Sequence, residues 1–164
     1  MATTIAVQLA QHFHKFDYRQ LPDASKSAVK RLLLDYLGVA VAGSQTESGH
    51  AARMFAQSAG VKAESTLIGD TARVPAAQAA FANAISSHSI ELDDIDVLAL
   101  FHFSPPVFSS ALATAEQHKA SGKQLLVALA AGCARRPSGR RAATTRLSRR
   151  GRTTNCFSGF TGSA

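Results

Sequence analysis

The chain has 164 residues and only two cysteines, Cys133 and Cys156. A pair so sparse is no disulfide framework. No run of 18 or more apolar residues occurs, so no transmembrane helix is expected. The opening "MATTIAVQLAQHFHKFDYRQ" is amphipathic. It lacks the basic start, apolar middle and small-residue cleavage site of a secretory signal. A cytoplasmic protein that does not enter a membrane is the expectation. His-x-x-x-His and Cys-x-x-Cys spacings are both missing, so spacing alone offers no metal motif.

Acidic residues are absent from the last part of the chain. Residues 1–134 hold ten Lys or Arg and all eleven Asp and Glu, a net of −1. Residues 135–164 hold eight Arg and no acid, a net of +8. The apolar period also stops at Ala134. The boundary therefore divides a helical region, 1–134, from an Arg-rich tail, 135–164. The tail reads as a disordered basic segment or as an out-of-frame translation, whose typical letters are Arg, Pro, Gly, Ala and Ser. Eight Arg would contact phosphates in a salt-dependent way, but no recognised binding motif is present. Non-specific nucleic-acid binding by the tail is the alternative to an enzymatic reading, and no specific nucleic-acid partner is expected.

What is present in 1–134 is helical periodicity. Ile5, Leu9, Phe13 and Phe16 share a spacing of three or four. "LPDASKSAVKRLLLDYLGVAVAG" starts with Pro22 and Asp23 and stops at Gly43. Val29, Leu32, Leu33, Tyr36, Leu37 and Ala40 make its apolar face. Residues 47–59 read as a third helix, "ESTLIGD" as an extended segment or a small strand, and "RVPAAQAAFANAISSHS" as an Ala-rich helix with Pro75 at its first position. "SPPVFSSALATAEQHKASG" and "GKQLLVALAAGC" read as two more helices. The fold class is all-α, a helical bundle with short loops.

"SSHSIELDDIDVLALFHFSPP", residues 86–106, breaks that pattern. Four acids, Glu91, Asp93, Asp94 and Asp96, and two histidines, His88 and His102, lie among eight large apolar residues. Desolvation and neighbouring carboxylates raise an acid's pKa, and histidine titrates near neutrality unaided. Acids and imidazoles in an apolar lining suit proton transfer on a small acid substrate.

Taken in order, "LLLDYLGVAVAG", "STLIGD", "AAFANAISSHSIELDDID" and "HFSPPVFSSALATAEQHKASGKQLLVALAAGC" resemble the MmgE/PrpD family, which includes 2-methylcitrate dehydratases. The resemblance covers about residues 5–134. It implies the N-terminal part of a larger helical domain, a truncated chain that is inactive by itself, and a homodimer for the full-length protein. It also implies a lyase of small di- or tricarboxylic acids, 2-methylcitrate dehydratase-like and serving propionate catabolism, with no cofactor and no metal. His102 then matches the family's active-site histidine, although "HFSPP" has two residues before the first proline where the family commonly has His-Pro. Glu91 and Asp93 are the candidate catalytic acids. His88 and Asp94 are candidate substrate contacts, with a helix-end histidine and a helix cap as the alternatives. His12, His14, His50 and His118 read as surface residues, Asn83 as a hydrogen-bonding residue within the bundle, and Cys133 as a buried helix-end residue.

Overall fold

A computed structural model describes residues 4–60, 62–96 and 100–133. The Arg-rich stretch 135–164, with Cys156, lies outside the described residues, as do Val97, Leu98 and the side chains of Ile5, Leu9 and His12. Six α-helices are described: α1 (Ile5–His14), α2 (Asp23–Gly43), α3 (Glu47–Ser58), α4 (Ala76–His88), α5 (Ser104–Gln117) and α6 (Gly122–Cys133). A 3₁₀ turn at Tyr18–Gln20 and two short strands, β1 (Ser65–Thr66) and β2 (Arg73–Val74), complete the chain. No described helix is long and apolar enough to cross a membrane.

Periodicity in α2 sets the first core. Val29, Leu32, Tyr36 and Ala40 recur at three or four residues and are all buried, which places them on one stripe. They meet Phe108 of α5 and Leu129, Ala130 and Cys133 of α6, with Leu33 and Leu37 half-buried at the edge. Tyr36 packs at 5.7 Å from the Phe108 ring, and its hydroxyl shares a 2.7 Å hydrogen bond with Ser109 Oγ. Burial pushes the Tyr36 phenol up to about 12, against the opposing pull of that hydrogen bond.

Small residues set the second core. Ala76, Ala79 and Ala82 of α4 pack with Ala52 and Ala56 of α3, Ala113 of α5, and Leu67 and Val74 of the hairpin. Alanine on several faces lets α4 pack against α2, α3 and α5 together. The closest approach is at the end of α2, where a Cβ on Gly43 would run into the Ser86 carbonyl of α4.

One local reading is corrected. Pro75 does not open α4 from its first position. It precedes the helix with extended backbone (φ −53°, ψ 144°), because Arg73 and Val74 are taken up by β2, paired antiparallel with β1 in the register Ser65↔Val74 and Thr66↔Arg73. Strand pairing needs extended backbone just before the helix, and a proline restricts its predecessor to that conformation. Pro75 also lacks a capping side chain, so Glu64 fills the role from across the hairpin: its Oε2 accepts the Ala76 N–H at 3.1 Å. The Asn83 amide joins α4 to the same hairpin. Its Oδ1 accepts the Ile68 N–H and its Nδ2 donates to the Thr66 carbonyl, both at 2.9 Å.

Gly43→Ala is expected to destabilise the chain by about 1–3 kcal/mol, the usual cost of overpacking a tight contact, measured by urea unfolding. Unchanged stability would show that α2 and α4 can part without cost. A second expectation concerns acid. The Ala76 N–H, chiefly, holds the Glu64 carboxyl below its ordinary value of 4.5. Its contribution is therefore fully present above 4.5 and is lost as pH falls through the lower folded value. Glu64→Gln should flatten the acid limb of the stability–pH curve relative to wild type, and an identical limb in both proteins would contradict the cap.

Candidate active site

The Ala-rich helix α4 ends at His88, and the chain then turns sharply. The Glu91 N–H donates to the His88 carbonyl at 3.1 Å, and Glu91 takes up left-handed backbone with φ 51°. Further on, Asp96 and Phe101 pair as a single antiparallel bridge, N–H to carbonyl in both directions at 3.0 and 3.3 Å. That bridge closes the loop and returns the chain so that His102 lies beside His88. The two rings stand 4.9 Å apart, edge to face.

Asp93 lies between them. Its side chain is 0% exposed. His88 Nδ1 is 3.1 Å from both carboxylate oxygens, and His102 Nδ1 is 3.0 Å from Oδ2. The second contact has ion-pair distance but not hydrogen-bond alignment, so His102 Nδ1 is buried with no hydrogen-bond partner among the described residues. Both Nδ1 atoms are turned to Asp93. The rings are partly open to water, His88 at 48% and His102 at 34% of the side chain.

The fold thus gathers three of the five candidates, His88, Asp93 and His102. Asp94 is placed differently. Its Oδ1 accepts the Ser104 N–H at 2.9 Å and so caps α5, whose preceding residue Phe103 supplies no capping side chain. Glu91 is exposed and stands outside the cluster, at the left-handed turn. The apolar residues of the stretch do not line the cluster as expected: Leu92, Ile95, Leu100 and Phe101 are exposed. Leu92 and Ile90 instead border an open groove against Leu34, Gly38 and Ala42 of α2. A loop lacks the fixed two-sided alternation of a strand, so apolar content alone could not say which way its side chains turn.

Two polar residues beside the cluster carry no site signal in the sequence, Ser86 and Ser104. Both are buried, and their Oγ atoms have no hydrogen-bond partner. They stand two residues before His88 and two after His102. In sequence they read as ordinary helix-boundary serines, and only the folded environment distinguishes them. Outside the cluster, His14, His50 and His118 are exposed and Cys133 is buried, as the sequence suggested.

The family model described as MmgE/PrpD N-terminal domain matches residues 7–161, which runs past the Ala134 boundary into the Arg-rich stretch. The cis-aconitate decarboxylase of Homo sapiens is 32% identical over 95 residues, covering 57% of this chain and 20% of that protein. The cis-aconitate decarboxylase of Mus musculus is 31% identical over 95 residues, with the same coverage. The match thus spans about a fifth of the length of these curated relatives.

Asp94→Ala should lower stability by about 0.5–2 kcal/mol, the range for losing a helix cap, while leaving the His88 and His102 ring resonances near their wild-type positions. Ring resonances displaced as far as those of an Asp93 variant would place Asp94 in the cluster.

Proposed function

This chain belongs to the MmgE/PrpD family, and from that premise we propose that the His88–Asp93–His102 cluster is the proton-transfer centre of a lyase acting on small di- or tricarboxylic acids. One observation carries the reading: a fully buried carboxylate holds two imidazoles by their Nδ1 sides, which leaves both Nε2 atoms to face a substrate. Such holding fixes ring orientation, the part a carboxylate plays toward a catalytic histidine. Lyase chemistry beside a carboxylate needs one proton moved at a carbon. In a dehydration, a base takes the proton alpha to the carboxylate while an acid protonates the departing hydroxyl. In a decarboxylation, the C–C bond breaks, carbon dioxide leaves, and an acid delivers a proton to the carbon that keeps the electron pair. Two imidazoles 4.9 Å apart can supply an acid and a base.

The relatives' name favours cis-aconitate as the acid to examine, with decarboxylation as the reaction. Dehydration of 2-methylcitrate is the second reaction in the same class and uses the same two roles. His102 is the proposed proton donor or acceptor. It precedes α5 directly, and its ring is the more shielded of the two.

The test begins with binding. Titrating the chain with cis-aconitate should move the ring resonances of His88 and His102 and leave those of His50 and His118 in place. Equal movement of all four, or none, would end the shared-site reading. The 164-residue chain alone is expected to give no measurable turnover of either acid, because both rings are open to water and catalysis needs a closed, positioned site. In any longer form that is active, His102→Ala should lower turnover by about a hundredfold or more. Robust turnover by the chain itself would refute the expectation of an open, incomplete site.

A further inference from the structure

We propose that Ser89 is a positioning residue for His88, anchored by Ser48 at the start of α3. The role deepens the reading of the cluster as a proton-transfer centre and rests on that reading.

The way α4 ends carries it. Ser89, the residue after His88, sends its N–H three residues back, to the Ser86 carbonyl at 3.3 Å. Its hydroxyl takes the carbonyl four residues back and donates to Ile85 at 2.6 Å. The last turn is thereby tightened toward three residues per turn, which rotates successive residues by about 120° in place of about 100°. His88 lies inside that turn, so the direction in which its ring leaves the helix follows the tightening. Remove the hydroxyl, and the Ile85 carbonyl is one more helix-end acceptor in need of a donor. The nearest donor is the N–H of residue 89, whose return to Ile85 relaxes the turn and swings His88 away from Asp93.

A serine bonded back to its own helix is common. Ser89 differs because a second helix holds it. Ser48 Oγ, in the first turn of α3, stands 2.9 Å from Ser89 Oγ. Proton supply fixes the direction of that bond. Ser89 has one hydroxyl proton and gives it to Ile85, so Ser48 is the donor. Thr46, the N-cap of α3, gives its own proton to the Gly43 carbonyl at 2.7 Å and accepts the Gly49 N–H at 3.1 Å. These bonds tie the end of α2, the start of α3 and the end of α4 together at one point. The backbones can meet there because two of the residues are glycines. A Cβ on Gly43 would run into the Ser86 carbonyl, and one on Gly49 into the Gly43 carbonyl. The same proton supply argues against the start of α3 as a cradle for a substrate carboxylate. The Ser48 proton is already given to Ser89, and Glu47 adds negative charge to the same turn.

The test compares Ser89→Ala, Ser89→Thr and Ser48→Ala in the 164-residue chain, with Ser58→Ala as the control. Ser58 makes the same kind of bond, Oγ to the Phe55 carbonyl at 2.8 Å, at the far end of α3. Ring resonances are read first, without ligand. Ser89→Ala should displace those of His88 and leave those of His14 and His118 in place. Ser48→Ala should displace them in the same direction and by less, since the bond to Ile85 survives. Ser89→Thr, which keeps the hydroxyl, should restore them. With cis-aconitate, Ser89→Ala should weaken binding by about tenfold, the size of one lost hydrogen bond, while its urea midpoint stays with that of Ser58→Ala. His88 resonances in Ser89→Ala that match wild type, or that move no more than in Ser58→Ala, would overturn the positioning role. So would a displacement that Ser89→Thr does not reverse. Wild-type chain that ignores cis-aconitate would instead overturn the lyase reading, so the two failures are told apart.

Discussion

The close approach of α2 to the end of α4 is the constraint on which the rest depends. Gly43 leaves room for the Ser86 carbonyl, so the last turn of α4 can seat beside α2 rather than be held off by a side chain. That seating buries Ser86 and Ser87 and sets where His88 emerges. A bulkier residue at 43 would have to shift helix backbone, because the obstructing atom is a carbonyl and cannot rotate away. The position of the candidate site is therefore decided in part by packing at Ser86, two residues before His88. The alanines of α4 act in the same direction, since short side chains let three helices hold it at once.

From that fixed helix end, two neighbouring aspartates divide the remaining work. Asp94 spends its carboxylate on the first N–H of α5, which fixes where α5 begins and so where His102, two residues earlier, must lie. Asp93 spends its carboxylate on the rings. Neither could exchange roles without a shift of register, because successive residues in an irregular segment project in different directions. The left-handed backbone at Glu91 provides the turn that aims both. A pair of acids that looks redundant in sequence is thus one structural and one polar anchor of the same loop.

The helices were legible because their signals are local. Val29, Leu32, Tyr36 and Ala40 announce a buried stripe by spacing alone, and Asp23, Gly43 and the Ser104–Pro106 start mark boundaries that the chain respects to within a residue or two. The strand at Arg73 and Val74 was not legible, since its two residues are defined by partners seven and nine positions away in the register Thr66↔Arg73 and Ser65↔Val74. For the site, residue types and region were readable and partners were not. Whether Asp93 or Asp94 meets the histidines depends on φ at Glu91 and on a bridge between Asp96 and Phe101, and neither leaves a mark in composition. The exposure of Leu92 and Leu100 was hidden for the same reason.

The electrostatics of the stretch make a final demand on any ligand. Four acids lie between His88 and His102, and the nearest basic side chains in sequence are Arg73 and Lys119. Arg73 is already engaged with the Glu64 carbonyl, Thr66 and Glu116. A di- or tricarboxylate approaching this loop meets like charge, and repulsion of that kind is weakened by solvent but not removed. At the cluster itself, the groups able to carry positive charge are the two imidazoles held by Asp93. A protonated ring would attract the acid and could then donate, while a neutral ring would remain available as the base. Two rings on one buried carboxylate can thus divide attraction and proton abstraction between them, which a single histidine in the same place could not do.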